Sequence, residues 1–196
     1  MVEKRRLRLL KERLLNMYFN KFIGIEKVES KHIKVREAVR AIVIKDGHIL
    51  MVHSNKGDFK FPGGGVESGE THSEALIREV LEETGYVDTV VGDKFGVYLE
   101  RREDVFDQSL LFEMNSHYYF CECLGEPVAQ QLEGYEIEQG FTAKWITIEE
   151  AISQNERAQK LSGHNGWIER ETYVLHKILQ FTRGKSERML NQCSRS

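Results

Sequence analysis

The chain has 196 residues, 40% hydrophobic, 10% aromatic and 30% charged, with only 2 prolines; that is enough for one domain with its own core and excludes a low-complexity disordered chain. No apolar run approaches the ~18 residues of a membrane-spanning helix. The three cysteines, Cys121, Cys123 and Cys193, cannot close a disulfide framework, so a reducing cytoplasmic setting is expected.

Residues 1–35 are expected to form a basic helical arm, with Leu7, Leu10, Leu14 and Tyr18 as its apolar stripe. Arg8, Lys11 and Arg13 break any signal-peptide core. Such an arm either lies against the domain or a second copy in a homodimer, or touches a membrane surface or nucleic acid through its charges. Residues 1–22 hold seven Lys or Arg against two Glu, so the rest of the chain carries −8 within the total of −3. A body of that sign repels phosphorylated substrates unless metal ions intervene.

Residues 36–183 read as one mixed α/β domain. Ala38–Ile44 and His48–Val52 flank Lys45-Asp46-Gly47, a β-hairpin around an Asp-Gly turn. A glycine loop, Phe61-Pro62-Gly63-Gly64-Gly65, leads to a helix that opens on the capping box Thr71-x-x-Glu74 and ends at Gly85. Strands are expected over Val87–Tyr98, Leu110–Cys123 and Phe141–Thr147, and helices over Ile148–Ser153 and Gly166–Phe181. Residues 184–196 read as a polar tail. Cys121 and Cys123 share one face of a strand, where packing explains them better than metal does.

The helix carries the chemistry. At 100° per residue, Leu76, Val80, Thr84, Ile77 and Leu81 fill a core-facing arc of roughly 140°, and Glu79, Glu82 and Glu83 fall on the opposite side. Three carboxylates at that spacing repel one another unless cations are shared, and hard oxygen ligands suit Mg²⁺ or Mn²⁺. An ordinary solvated face with Arg78 pairing to Glu74 or Glu82 explains the same pattern. The glycine loop upstream shifts the balance, because glycines let backbone approach a ligand unobstructed.

Gly64, five residues, Glu70, seven residues, Arg78-Glu79-Val80, one residue, Glu82-Glu83, one residue, Gly85-Tyr86 resembles the complete Nudix box, with Tyr86 where an aliphatic residue is usual. The resemblance covers 23 residues. It implies an α/β/α sandwich around a mixed β-sheet, and a Mg²⁺- or Mn²⁺-dependent hydrolase that cleaves a pyrophosphate bond in a nucleoside diphosphate linked to another group. Carried onto this chain, Arg78, Glu79, Glu82 and Glu83 become catalytic. Glu79, Glu82 and Glu83, with the Gly63 carbonyl, become metal ligands, and Gly64, Glu70 and Gly85 support the box. The general base or an extra ligand falls to Glu79, Glu136 or Glu138, the last two being equally readable as solvated loop charges.

Arg101-Arg102-Glu103-Asp104 reads as a solvated hairpin loop, or as a substrate contact through Arg101 or Arg102. Trp167 is either a helix anchor or an aromatic on a flap at 162–167. The 7 histidines show no metal-ligand spacing, Gly184-Lys185-Ser186 lacks the rest of a P-loop, and no serine-hydrolase element is present. The Pro of ADP-ribose pyrophosphatases and the Tyr of dinucleoside polyphosphate hydrolases are missing at their usual distances beyond the box. The expected partner is therefore a small nucleotide, such as a nucleoside triphosphate or nucleotide sugar, with RNA 5′ ends as a variant that the basic arm could serve. The alternative from another class is a non-catalytic nucleotide-sensing module.

Overall fold

The computed structural model describes residues 18–27, 31–107, 109–162 and 166–193, with backbone only at 162, 166 and 183–193. Its elements run β1 (Phe19–Gly24), β2 (His32–Lys45), β3 (His48–His53), β4 (Phe59–Lys60), α1 (His72–Thr84), β5 (Asp88–Glu103), β6 (Leu110–Leu124), α2 (Tyr135–Glu138), β7 (Thr142–Thr147), α3 (Ile148–Ser162) and α4 (Gly166–Cys193). The seven-stranded sheet is ordered β1-β5-β6-β2-β3-β4, with β7 pairing β3. It is mixed: β1–β5 and β2–β6 are parallel, the other pairs antiparallel.

Alternation along β2 makes the sandwich. Val39, Ala41 and Val43 pack with Leu76 and Val80 of α1 on one face. Ile42 points the other way, among Ile152 of α3 and Val174, Leu175 and Ile178 of α4. Asp46 and Gly47 both take positive φ, 50° and 78°, as a two-residue hairpin turn requires. β2 and β3 then diverge, and the glycine loop fills the gap. Ala41 and Val39 donate their N–H groups to the carbonyls of Pro62 and Gly64 at 2.8 and 2.9 Å, and Val66 donates to Glu37 at 3.0 Å.

Several elements differ from the sequence reading. Of the expected helical arm over 1–35, residues 19–24 and 32–35 are strand, 25–27 and 31 are irregular, and the Leu7–Leu14 stripe lies outside the described residues. β1 is held by Phe19, buried against Phe95, Tyr118 and Tyr173. β5 runs on through Glu103, so Arg101 and Arg102 belong to a strand rather than a loop. α3 continues nine residues past Ser153; its core face includes Asn155, whose amide bonds both the N–H and the C=O of Phe59, at 2.7 and 3.0 Å. A polar residue in that position conceals the helical stripe. α4 extends to Cys193, which takes in most of the expected tail, and 194–196 lie outside the described residues. Among the described residues no helix is long and apolar enough to cross a membrane.

Gly96 explains why β1 docks where it does: a Cβ there would stand 2.2 Å from the Phe19 ring. Gly96→Ala is expected to dislodge Phe19. Hydrogen exchange should then show lost protection across residues 19–24 while α1 stays protected.

Candidate active site

The glycine loop and α1 satisfy each other's polar groups. Glu83 is fully buried; one carboxylate oxygen accepts from the Gly63 N–H at 2.7 Å and the other meets Lys60 Nζ at 2.6 Å. The Gly63 carbonyl accepts from Arg40. Gly63 has φ 137°, and a Cβ there would come 2.1 Å from the Val39 carbonyl oxygen, so the position admits only glycine. At Gly64 a Cβ would sit 2.3 Å from the Glu79 carboxylate. The loop thus lies flat over the acidic face of the helix.

Arg78 ties the assembly together. Its Nε and Nη2 each donate to a different oxygen of Glu70 at 2.9 Å, Nη1 reaches Glu79 at 2.9 Å and Glu82 at 3.4 Å, and Nη2 also donates to the Gly65 carbonyl at 3.1 Å. The hydrogen bonds to Glu70 raise the Arg78 pKa further, against the effect of burial. Thr71 and Glu74 form the reciprocal capping box, and Gly85 closes the helix at φ 81°.

One expectation is overturned. Helical spacing puts the carboxylates on the face away from the core, yet Glu79 and Glu83 are buried and Ile77 is 39% exposed. Helical periodicity assigns one buried arc, whereas here β2, β5 and β7 cover one side of α1 and the glycine loop with Lys60 of β4 covers another. Burial pushes the carboxyls of Glu79, Glu82 and Glu83 above their ordinary values. Arg78 opposes that shift at Glu79 and Glu82; Lys60, the Gly63 N–H and Arg40 oppose it at Glu83.

The single turn α2 brings Glu136 in, so that Glu79, Glu83 and Glu136 offer carboxylate oxygens all within 4.8 Å of one another. Glu138 stays outside that cluster, and its backbone carbonyl accepts from Asn55 at 2.9 Å. An all-oxygen donor set, crowded and drawn out of water, fits a hard dication. Lys60 and Arg78 supply the positive charge that balances it.

Three residues of this neighbourhood were not singled out in the sequence. Lys60 is buried beneath the Phe141 ring, 3.9 Å from its centroid. Arg40 interrupts the apolar run of β2, and Glu171 of α4 accepts from the Phe61 N–H at 3.3 Å. A cation flanked by Phe59 and Phe61, and an arginine inside Ala38–Val43, were the available signals. Glu171 also pairs with Arg170 at 2.9 Å and lies 3.9 Å from Arg40, and Arg170 reaches Glu100 at 2.5 Å.

That chain of ion pairs leads to a cleft of about 420 Å³ lined by Tyr98, Glu100, Arg102, Phe112, Trp167 and Arg170. Arg102 lies over the Phe112 ring at 4.9 Å. Arg101 also borders the cleft but is engaged by Glu113 at 2.6 Å and by the Ile25 carbonyl at 3.2 Å. Trp167 is half-buried at the cleft wall; flap residues 163–165 lie outside the described residues. Cys121 and Cys123 are free and pack with the α1-side core, burial raising both thiols, Cys121 to about 12. The histidines are less scattered than the sequence suggests: His72 and His117 meet beside Glu37.

A mixed-sheet α/β/α sandwich with a glycine-covered acidic helix defines a class of metal-carboxylate sites. The family model described as NUDIX domain matches residues 34–169, and the chain belongs to that family. It is 46% identical over 65 residues to an ADP-ribose pyrophosphatase of Methanocaldococcus jannaschii, covering 31% of this chain and 38% of that one. It is 38% identical over 66 residues to a CTP pyrophosphohydrolase of Escherichia coli, covering 31% and 48%. The chain thus spans less than half the length of either relative. A solved NUDIX hydrolase from Nitrosomonas europaea is 22% identical, covers 78% of this chain and 91% of that one, and superposes with a TM-score of 0.49.

The burial difference separates two carboxylates of the box. Without added metal, Glu83→Gln leaves Lys60 buried without its anion and is expected to lower unfolding stability by roughly 3 kcal/mol. Glu82→Gln, at the rim, is expected to change it by about 0.5 kcal/mol or less. Urea denaturation of the two variants makes the comparison.

Proposed function

We propose that the chain is a Mg²⁺- or Mn²⁺-dependent pyrophosphohydrolase acting on a small nucleotide. The observation that carries this reading is the convergence of the Glu79, Glu83 and Glu136 carboxylates beneath a loop whose Gly63 admits no side chain and whose Gly64 lies against the Glu79 carboxylate. Glu79, Glu82 and Glu83 would hold the dication, with the Gly63 carbonyl, which accepts from Arg40 here, as a further candidate. Bound there, the metal supplies positive charge to the phosphoryl oxygens and acidifies the attacking water.

The residues of the chain do the rest. Arg78 fixes Glu79 and Glu82 in position and anchors them to Glu70 and the Gly65 carbonyl. Glu136, on a one-turn element at the edge of the cluster, accepts the proton of the attacking water as the bridging P–O bond breaks. Arg40 faces the departing phosphoryl group from β2. The cleft along the ion-pair chain takes the nucleoside, with Trp167 and Phe112 as stacking surfaces and Arg102 as a cation for phosphate or base. Arg101 serves by positioning, since Glu113 already engages it.

Two relatives that match comparable stretches of this chain bear the names of different substrates, ADP-ribose and CTP. The matched stretch therefore reports the shared chemistry, and the cleft outside the box is where selection falls.

Incubation with Mg²⁺ and a panel of nucleoside triphosphates, nucleotide sugars, dinucleoside polyphosphates and 5′-triphosphorylated RNA, with products identified by mass, tests the proposal. Turnover on one class is expected, abolished by EDTA and lowered roughly 10²-fold or more by Glu82→Gln. Silence across the panel would favour the nucleotide-sensing module.

A pH dependence follows from the raised carboxyls. Each stabilises the metal-free fold most fully below the ordinary value of 4.5, and withdraws that contribution as pH rises through its raised value. Metal binding needs the ionised forms. The rise in Tm caused by Mg²⁺ is therefore expected to be larger at about pH 8 than at about pH 5.5, measured by thermal melts at fixed Mg²⁺.

A further inference from the structure

We propose that Glu37, His72 and His117 form a second metal site, separate from the acidic site, that takes a borderline transition dication such as Zn²⁺ and pins the start of α1 to β2 and β6. The three residues come from three elements, and one ligand atom of each lies within 4.8 Å of the others. The imidazole centroids are 4.5 Å apart with the rings tilted at 39°. Tetrahedral coordination at about 2.0–2.1 Å needs ligand atoms roughly 3.4 Å apart, so the widest gap has to close by no more than about 1.5 Å, within the reach of side-chain rotation.

The surroundings are those of a ligand set. His72 Nδ1 bonds the Tyr119 hydroxyl at 2.8 Å; with Nδ1–H as donor, Nε2 keeps its lone pair. Glu37 accepts from Asn115 Nδ2 at 2.9 Å on one oxygen and engages His117 Nε2 through the other. Outer partners of this kind orient metal-binding imidazoles and carboxylates. His117 Nδ1 is buried with no hydrogen-bond partner among the described residues. A buried orphan nitrogen in a half-buried polar cluster calls for a missing water or ion.

Charge agrees with the geometry. Burial pushes both imidazoles below their ordinary value, assisted by Lys94 and opposed by Glu37. Burial opposes ionisation of Glu37, but the bonds from Asn115 and His117 outweigh it and hold the carboxyl below its ordinary value. The cluster is thus two imidazoles whose protonation burial disfavours and one carboxyl whose ionisation its partners favour, with Lys94 nearby. Two nitrogens and one oxygen prefer Zn²⁺ or its neighbours over Mg²⁺, the reverse of the all-carboxylate site. His72 stands seven residues before Glu79, about 10 Å along the helix at 1.5 Å per residue, so one ion cannot serve both sites. The proposal does not depend on the hydrolase reading.

The full chain, held in excess Mg²⁺ to fill the acidic site, is titrated with Zn²⁺ against a chromophoric chelator, and Tm is followed in parallel. One Zn²⁺ per chain is expected, with a rise in Tm. His72→Asn and His117→Gln are each expected to weaken binding at least about tenfold and to remove the Tm rise. Lys94→Met should tighten binding by removing a facing cation, and Glu82→Gln and Cys123→Ser should leave it unchanged. His72 opens the helix at a half-buried position, so its variant keeps the test decisive if His117→Gln does not fold, as circular dichroism would show. Absence of Zn²⁺ binding in excess Mg²⁺, or binding that both histidine variants retain, overturns the proposal and leaves a plain hydrogen-bond network.

Discussion

Glu83 is an ionisable group removed from water and bonded to the backbone of the loop that covers it, and most of the site follows from that arrangement. A buried carboxylate must be paired or protonated. Lys60 and the Gly63 N–H answer the demand from two sides, which obliges β4 to end in a buried lysine and the loop to carry a residue tolerating φ 137°. Gly64 then comes so close to Glu79 that a methyl group would have to displace its carboxylate. The spacing between the loop and helix glycines and glutamates is the geometry of a backbone lying flat on charged side chains.

The same demand spreads outward as alternating charge. Arg40, held by the Gly63 carbonyl, faces Glu171; Glu171 engages Arg170; and Arg170 bonds Glu100 at the cleft. Arg170 and Glu171 are buried too, and each meets two opposite charges, so removing either upsets the charge balance of its neighbours in a low-dielectric interior. The pairs lie on the α4 side of the sheet, and the Gly63 carbonyl, which accepts from Arg40, links them to the loop over α1. They give the acidic site and the cleft a common rigid wall, which is how a site for phosphates and a site for the rest of a nucleotide would be kept in register.

Local features of this fold are legible in the sequence because local chemistry determines them. Asp46-Gly47 needs positive φ at both residues, Thr71 and Glu74 cap each other, and Gly85 ends the helix, each within a few residues. The box itself is a local string. What escaped reading depends on partners distant in the chain. β1 is a strand because Phe19 slots over Gly96, and Asn155 continues a core face because it serves the backbone of Phe59. The burial of Glu79 and Glu83 was illegible for the same reason: a helical wheel shows angles, and whether a second layer covers the polar side is decided by a loop and a short strand. Lys60 and Arg40 announced themselves only as charges out of place in apolar runs.

Helix α1 has two polar regions on one side, two turns apart, with opposite chemical character. Seven residues separate His72 from Glu79, which returns nearly to the same face. Near Glu79 the donors are carboxylates, and the cations beside them are Lys60 and Arg78; near His72 the donors are imidazoles with a single carboxylate, faced by Lys94. Hard and borderline cations partition between such sets by ligand type, without any difference in cavity size. Leu76 and Val80 of the same helix are fully buried against β2. The position of the Glu79 and Glu83 carboxylates relative to the sheet is held from two places along α1, by the glycine loop near one end and by the Glu37, His72 and His117 cluster at the other.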